Sequence, residues 1–353
     1  MDKNILSQYS NDVGIDILAV TDSNPLDRLY EYLKLRIESG FKTEFEENDI
    51  NKRTDPKLTL KNCKSIIVVG ISYNVDFENQ NDIKITGSLS KSSWGEDYHK
   101  VLKDKLQQLA DKIIETEQME YKVFVDTGPL VDRELAYKAG IGYYGKNCSI
   151  INPYLGSFIF LGYILTDLEI EKDIGEIESQ CGECRLCLDA CPTGALYSPF
   201  KLDTKRCISY LTQTKDPISE ELSTKMGINI YGCDTCQRVC PKNNQVVKNL
   251  HPEFIPTKTN GRIDIEELIF MSKNEFRHKY GSMSGSWRGK TVLIRNSLIA
   301  LININKKEHE YLIKEIEKKK ISLFQEYIKR WKYWHTNVIT QGQYLYDIII
   351  SKP

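Results

Sequence analysis

The alternation of apolar and polar positions divides the 353-residue chain into regions of different periodicity. Four runs rich in β-branched and aromatic residues predict strands at Ile15–Thr21, Ile66–Tyr73, Tyr121–Asp126 and Phe158–Thr166. Between these runs apolar residues recur at helical spacing, most clearly in Tyr98–Glu117 and Asp132–Ala139. We therefore expect residues 1–170 to form an α/β domain.

The pattern changes after this domain. A charged stretch, Asp167–Glu178, leads into a cysteine-rich segment at residues 181–241. A Pro-containing linker, His251–Pro256, then precedes a mainly helical tail rich in Ile, Leu and Lys. We predict three domains or regions: the α/β domain at 1–170, a cysteine-rich domain at 171–250 and a helical C-terminal region at 251–353.

The composition is that of a soluble globular protein, with 41% hydrophobic and 27% charged residues. No apolar run approaches the roughly 18 residues of a membrane span, and the first residues, MDKNILSQYSNDVG, lack the apolar core of a signal peptide. We therefore expect a cytoplasmic protein with no membrane segment. In that reducing compartment, ten cysteines favour metal binding or redox chemistry over disulfides.

Charge is distributed unevenly along the chain. The net charge is −1, but residues 241–353 carry 20 Lys and Arg against 11 Asp and Glu, whereas residues 1–240 carry 28 against 38. A basic C-terminal third indicates a phosphate-bearing partner on that side. A solvated lysine-rich helix face would account for the same charge equally well.

Two cysteine runs have the spacing of bacterial ferredoxins. The first is Cys181-x2-Cys184-x2-Cys187-x3-Cys191-Pro192. The second is Cys233-x2-Cys236-x3-Cys240-Pro241, the same run without its first cysteine. Paired CxxC motifs also form tetrahedral zinc sites, but zinc requires neither the third cysteine nor the Cys-Pro step. The spacing therefore predicts two [4Fe–4S] clusters in a ferredoxin-like domain.

The same pattern predicts which cysteines bind each cluster. In two-cluster ferredoxins three closely spaced thiolates bind one cluster, and the cysteine before proline binds the other. One cluster is thus assigned to Cys181, Cys184, Cys187 and Cys240. The second is assigned to Cys191, Cys233, Cys236 and Cys207, the last being the natural eighth ligand because it lies between the runs. The remaining Cys63 and Cys148 are interpreted as buried apolar residues.

Two further features concern catalysis. Gly140-Ile-Gly-Tyr-Tyr-Gly145 satisfies GxGxxG, but it follows a helical pattern instead of a strand, so we reject a dinucleotide site and expect a helix end. Asp126 ends an apolar strand before Thr127-Gly-Pro129, where a carboxylate could face the crevice of an α/β sheet. Burial would raise its pKa and suit it to proton donation. A turn-forming role for Asp126 is the alternative.

Several motifs together resemble the epoxyqueuosine reductase family. They are Trp94-Gly-Glu-Asp-Tyr-His99, Asp126-Thr-Gly-Pro-Leu-Val-Asp-Arg133, Gly145-Lys-Asn147, Arg206-Cys-Ile-Ser-Tyr-Leu-Thr-Gln-Thr-Lys215, Ser284-Gly-Ser-Trp-Arg-Gly289 and the two cysteine runs. The resemblance covers residues from about 12 to about 300. It does not extend to residues 301–353, which lack the regular Arg/Ala/Leu spacing of the helical extension that many members carry.

The resemblance implies a cobalamin-binding α/β (α+β) domain, followed by the ferredoxin-like domain, with Asp126 as general acid beside the cobalt. By motif position it implies cobalamin contacts at Arg53, Ser90, Asp126, Ile150, Leu161, Ser209 and Asp234. It implies a tRNA-binding side at Lys215, Trp287, Arg288 and Arg295. Cations there would meet phosphates, and the aromatic ring would stack on a base.

The implied activity is the reduction of epoxyqueuosine to queuosine at the wobble position of tRNA anticodons, the last step of queuosine biosynthesis. An external low-potential donor would supply the two clusters, which would reduce the corrinoid to cob(I)alamin. We expect a monomer. Two alternatives are a corrinoid-dependent reductase of a small molecule, like a reductive dehalogenase, and an electron-transfer or cobalamin-handling protein. The basic C-terminal third disfavours the first, and tolerance to loss of Asp126 would indicate the second.

Overall fold

The computed structural model describes residues 1–77 and 85–334. Its strands are β1 Ile17–Asp22, β2 Ser65–Ser72, β3 Thr86–Leu89, β4 Tyr121–Phe124, β5 Tyr143–Tyr144, β6 Ile150–Ile151, β7 Ile159–Thr166, β8 Leu196–Ser198, β9 Lys201–Leu202, β10 Asn229–Tyr231 and β11 Arg262–Asp264. The main sheet has the order β1-β2-β7-β4, and each neighbouring pair is antiparallel. The four predicted strands are confirmed, and they form this one sheet.

The first helices cover both faces of that sheet. They are α1 Lys3–Asp12, α2 Asp27–Glu38, α3 Ile50–Thr54, α4 Tyr98–Ile114 and α5 Asp132–Lys138. One apolar core joins α1 and α4 to one face, and a second joins α2 and α5 to the other. β2 contributes Ile67 and Val69 to the first core and Ile66 and Val68 to the second. Because both faces are covered, β2 is buried along its whole length and reads as a continuous apolar run.

The end of β4 differs from the prediction. The strand stops at Phe124, and Asp126 adopts a φ of 56°, in the left-handed region that strands do not use. The antiparallel sheet makes the architecture α+β, so the crevice rule for parallel strands was the wrong argument for Asp126. Its position is instead set by its own loop and by the start of α4.

A third apolar core joins all three predicted regions. β3 pairs in parallel with β10 and antiparallel with β11, which makes a small sheet from strands far apart in sequence. The helices around it are α7 Ile208–Leu211, α8 Glu220–Lys225, α10 Ile265–Phe270, α11 Lys273–Tyr280, α12 Gly289–Ile304 and α13 Glu310–Lys318. The packing therefore runs across residue 250, where the sequence suggested a boundary.

The cysteine-rich segment contains little regular structure. It has α6 Leu186–Asp189, α9 Thr235–Arg238 and the β8–β9 hairpin. The tail is helical as far as residue 334, and the rest of the predicted region 251–353 lies outside the described residues. Gly140 has a φ of 80° directly after α5, which confirms the expected helix end. Among the described helices, none is long and apolar enough to cross a membrane.

Candidate active site

The eight cysteines predicted as cluster ligands are all free thiols and all lie partly buried. The structure gathers them into two groups. Within each group, the negative charge of one thiolate raises the pKa of another cysteine. Burial, then the charges of Cys181 and Cys184, raise the pKa of Cys240. Burial, then Cys181 and Cys240, raise the pKa of Cys187. We call Cys181, Cys184, Cys187 and Cys240 the first group.

The second group is Cys191, Cys207, Cys233 and Cys236. Burial raises the pKa of Cys207 to about 11, and the charges of Cys233 and Cys191 add to this shift. Burial, then Cys207 and Cys233, raise the pKa of Cys236 well above its ordinary value. The two groups are neighbours, because Cys187 on α6 also acts on Cys236 on α9 and these helices pack together.

These groups fit the binding of cationic iron–sulfur cores. Thiolates whose negative charges repel one another in a buried site become favourable ligands once a cationic metal core neutralises that charge. Within residues 1–77 and 85–334, no group of three His, Cys, Asp or Glu side chains has the geometry to hold a single metal ion. Cys63 is buried in the core, as expected, whereas Cys148 is only partly buried and has a φ of 64°.

Asp126 lies at the centre of a second cluster of polar side chains. Its carboxylate Oδ2 accepts a hydrogen bond from the Tyr98 hydroxyl at 2.7 Å and lies 3.4 Å from His99 Nε2. Tyr98 and His99 begin α4, where Asp97 caps the helix through the His99 backbone N–H. The other imidazole nitrogen, Nδ1, lies 2.8 Å from Asp97 Oδ1. His99 therefore bridges two carboxylates.

Charge pairing decides where the proton of this cluster resides. Desolvation opposes the charged forms, but hydrogen bonds to Asp126 and Asp97 raise the pKa of His99 to about 9. Although 63% of the Asp126 side chain is exposed, desolvation also opposes its ionisation. The hydrogen bonds from His99 and Tyr98 outweigh that effect and lower the Asp126 pKa. The prediction that burial raises this pKa was wrong, since at neutral pH the proton is on His99.

A buried carboxyl lies behind the Asp126 loop. Asp132, at the start of α5, accepts the Asp126 backbone N–H at 2.9 Å through Oδ2. Burial, then the Asp126 charge, raise the pKa of Asp132 to about 7. Its Oδ1 is buried without a hydrogen-bond partner among the described residues. Asp132 thus anchors the Asp126 loop.

Stacked rings connect Asp126 with the second cysteine group. Tyr98 stacks on Phe160 at 4.1 Å and 5°, and Phe160 stacks on Tyr73 at 4.1 Å and 24°. The Tyr73 hydroxyl accepts a hydrogen bond from Gln237, the residue after Cys236. Burial, then the charges of Asp234 and Cys236, raise the pKa of Tyr73. The Asp126–His99 pair and the second cysteine group therefore lie at the two ends of one aromatic stack.

The predicted cobalamin contacts differ in their surroundings. Ser90 donates to Asp234 at 2.5 Å, and both side chains are buried. Arg53 pairs with Glu46 at 2.7 Å, so its charge is partly neutralised. Ile150 is only 2% exposed, which leaves its main chain as the part able to meet a ligand. The other two, Leu161 on β7 and Ser209 on α7, are half-buried.

Buried donors near these residues fit a corrinoid, whose side chains carry many amide oxygens. The Nδ2 atoms of Asn74 and Asn147 are buried and have no hydrogen-bond partner within the described residues. Asn74 also accepts a hydrogen bond from Lys91, whose backbone N–H donates to Asp234. Buried donors without partners are unusual in native proteins, and a polar ligand would satisfy them.

Three of the four predicted tRNA residues lie at one surface. Lys215 is exposed, Trp287 is 54% exposed, and the Arg288 guanidinium lies 4.7 Å from the Trp287 ring centroid. Gln213 connects them, since its side chain accepts the Trp287 indole N–H at 3.0 Å and its carbonyl accepts Arg288 Nε at 2.7 Å. Phe45, which sequence reasoning missed, packs edge-on against Trp287 at 5.4 Å.

Arg295 requires a correction. It is 0% exposed and donates to the carbonyls of Leu211 and Thr214 at 2.9 and 3.0 Å. It cannot meet a phosphate from that position. We assign it to holding the segment that carries Gln213 and Lys215.

Sequence reasoning also missed His99, Asp132 and Tyr143. The first two stand inside motifs that were recognised, WGEDYH and DTGPLVDR, but their chemical roles depend on distances that spacing does not give. Tyr143 lies in the rejected GxGxxG segment. Its burial next to the first cysteine group had no separate signal in the sequence.

Comparison with known proteins places this site in a family. The family model described as epoxyqueuosine reductase QueG, DUF1730, matches residues 53–127, and the 4Fe-4S double cluster binding domain matches residues 180–243. The chain is 44% identical over 297 residues to an epoxyqueuosine reductase of Bacillus anthracis, covering 83% of this chain and 78% of that one.

Solved structures agree with this result. A crystal structure of epoxyqueuosine reductase with a tRNA-TYR epoxyqueuosine-modified tRNA stem loop aligns with a TM-score of 0.85 at 40% identity, over 89% of this chain and 84% of that one. A Bacillus subtilis epoxyqueuosine reductase, with its catalytic aspartate loop swung out of the active site, aligns with a TM-score of 0.83 at 35% identity, over 93% and 97%. With such identity over most of both chains and the same fold, this protein belongs to the epoxyqueuosine reductase family.

Proposed function

We propose that this enzyme reduces epoxyqueuosine to queuosine at the wobble position of tRNA anticodons, the last step of queuosine biosynthesis. The observation that carries the proposal is the Asp126–His99–Tyr98 cluster, which is joined by stacked rings to the second cysteine group. An acid–base site adjoining a redox centre is what the removal of an epoxide oxygen requires.

Members of the family use two [4Fe–4S] clusters and cobalamin, and this oxidoreductase is assigned both cofactors. The first and second cysteine groups would each hold one cluster. Ser90, Asp234, Arg53 and the main chain near Ile150 would hold the corrinoid, whose cobalt supplies the low-potential reduction of the epoxide carbon. An external low-potential donor, a monomeric state and a cytoplasmic location complete the proposal.

The reaction needs two electrons and two protons, because the oxygen leaves as water and a carbon–carbon double bond replaces the epoxide. With a cluster bound, each cysteine group would hold one electron, so the two groups together would supply the required pair. The leaving oxygen develops negative charge and takes its first proton from the Asp126–His99 pair. This proton resides on His99 at rest, and Asp126 orients the imidazolium toward the substrate. Solvent supplies the second proton.

The surface formed by Lys215, Trp287 and Arg288 would receive the anticodon stem loop. Lysine and arginine would meet phosphates, and the exposed indole offers a face on which a base can stack. Arg288 also lies 5.1 Å from the Phe45 ring centroid, so the guanidinium is held between two aromatic rings. Such stacking orients the guanidinium group before tRNA binds.

The test is single-turnover conversion of epoxyqueuosine tRNA with a strong chemical reductant, so that electron delivery does not limit the rate. Asp126→Asn keeps the shape but removes the carboxylate, and we expect turnover to fall by about 10²–10⁴-fold. Iron content, cobalamin binding and tRNA binding should remain. Near-normal turnover in this variant would assign Asp126 to the turn alone. Lack of conversion by the intact holoenzyme, with rapid reduction of a halogenated small molecule, would favour the dehalogenase-like alternative.

A further inference from the structure

Tyr143 carries a hydroxyl that nothing in the described protein satisfies. The side chain is 0% exposed and is among the largest fully buried ones. Its hydroxyl has no hydrogen-bond partner within residues 1–77 and 85–334. A hydroxyl that is buried and unpaired loses its hydrogen bonds to water without replacement, so native proteins rarely tolerate it without a reason. A ligand group that accepts this hydrogen bond is a sufficient reason.

The surroundings of Tyr143 identify the ligand group. Burial is the main cause that raises the pKa of the Tyr143 hydroxyl to about 12. The charges of Cys181 and Cys240, both members of the first cysteine group, add to this shift. Three residues further on, Lys146 donates to the carbonyls of Gly182 and Cys184, so the β5–β6 hairpin lies directly on the loop of that group. Tyr144 points the opposite way, to Glu134, as strand alternation requires.

We propose that the Tyr143 hydroxyl donates a hydrogen bond to a sulfur atom of the cluster held by the first cysteine group and thereby raises its reduction potential. The proposal rests on the proposed function only in assuming that this group holds a [4Fe–4S] cluster. Reduction adds one electron and therefore negative charge to the sulfur atoms, and a donor stabilises that added charge. No proton is transferred, because a hydroxyl this reluctant to ionise keeps its hydrogen.

The experiment is a redox titration of anaerobic holoenzyme followed by EPR, comparing wild type with Tyr143→Phe. We expect one of the two clusters to become about tenfold harder to reduce, which for a one-electron couple is about 59 mV. The other cluster should keep its potential. Pulsed EPR after exchange into deuterated water should also show an exchangeable proton coupled to one cluster in wild type and missing in Tyr143→Phe.

Tyr163→Phe is the matched control. Tyr163 is also fully buried with an unpaired hydroxyl, but the charge that acts on it comes from Asp132 and not from a cysteine. Both potentials should be unchanged in that variant. Unchanged or higher potentials in Tyr143→Phe, with about eight iron atoms still bound, would overturn the hydrogen bond. Absence of iron from the first group in wild type would instead overturn the cluster assignment.

Discussion

The backbone N–H of Asp126 donates to the carboxyl oxygen Oδ2 of Asp132 at 2.9 Å, which ties the Asp126 loop to the first turn of α5. Asp126 has a left-handed φ of 56°, a conformation that costs a non-glycine residue about 1–3 kcal/mol. The hydrogen bond offsets part of that cost. Weakening this anchor should therefore make the observed loop conformation less populated.

We expect Asp132→Ala to lower the single-turnover rate by roughly fivefold to tenfold. The reason is that one hydrogen bond contributes about 1 kcal/mol to the stability of the observed loop conformation. Asp132→Asn retains an acceptor for the Asp126 N–H and should stay within about twofold of wild type. The measurement is single-turnover rate at saturating tRNA. Equal rates in both variants would show that the loop is held by other contacts.

The rate should depend on pH through His99. Its pKa is raised to about 9, so it keeps its proton through neutral pH, and conversion should fall only as pH rises through about 9. The lowered pKa of Asp126 keeps its carboxylate charged on the acid side. His99→Gln should lower the rate about 10²-fold and abolish the alkaline fall.

Asp126→Asn provides the control for this assignment. It removes one of the two carboxylates that raise the His99 pKa, so the imidazole should titrate closer to its ordinary value of about 6.5. NMR titration of the His99 ring would measure this shift directly. An alkaline limb that stays near pH 9 in His99→Gln would assign the titration to another group.

Removing Cys207 should abolish one cluster and spare the other. We expect Cys207→Ala to retain about four iron atoms where wild type holds about eight, because Cys207 belongs only to the second group. Cys63→Ala, in the second sheet core, is the control and should leave iron unchanged. Iron and sulfide analysis after anaerobic purification decides the matter. Loss of all iron in Cys207→Ala would show that the two sites cannot assemble separately, and stoichiometric zinc in wild type would contradict the cluster assignment.

Arg295 should matter for stability. Arg295→Met leaves the carbonyls of Leu211 and Thr214 unpaired in the third core, at a cost of about 1–3 kcal/mol each. The melting temperature of the holoenzyme should therefore fall by several degrees. Lys34→Met, at an exposed position of α2, should melt like wild type. An unchanged melting temperature in Arg295→Met would show that these two hydrogen bonds contribute little to stability.

Lys215 and Arg288 should govern the salt dependence of tRNA binding. Each phosphate contact releases counterions, so Lys215→Ala and Arg288→Ala should each reduce the slope of log affinity against log salt by about 1. Lys34→Ala should leave the slope unchanged. Affinity measured at several salt concentrations tests this prediction. Slopes equal to wild type in both variants would place the tRNA phosphates elsewhere.

The sequence was informative where one residue type has one physical use. The β-branched and aromatic residues of Ile66–Tyr73 predicted a strand, and β2 is there at Ser65–Ser72. Arg295 was placed on the tRNA side by resemblance to the family, and only the packing of α12 reveals its burial. Asp126 was misjudged because its pKa depends on His99, whose proximity comes from the fold. Pairing of β3 with strands after residue 228 could not be read from local pattern at all.

The two strands that pair with β3 are translated much later than β3 itself. Its neighbours β10 and β11 end at Tyr231 and Asp264, so the small sheet cannot close until most of the chain has left the ribosome. Cys207 and Cys233 pack against the core that this sheet helps to build. The core that supports the second group therefore becomes complete only after Asp264 has been synthesised, and chains terminated before that residue should hold these cysteines without their packing partners.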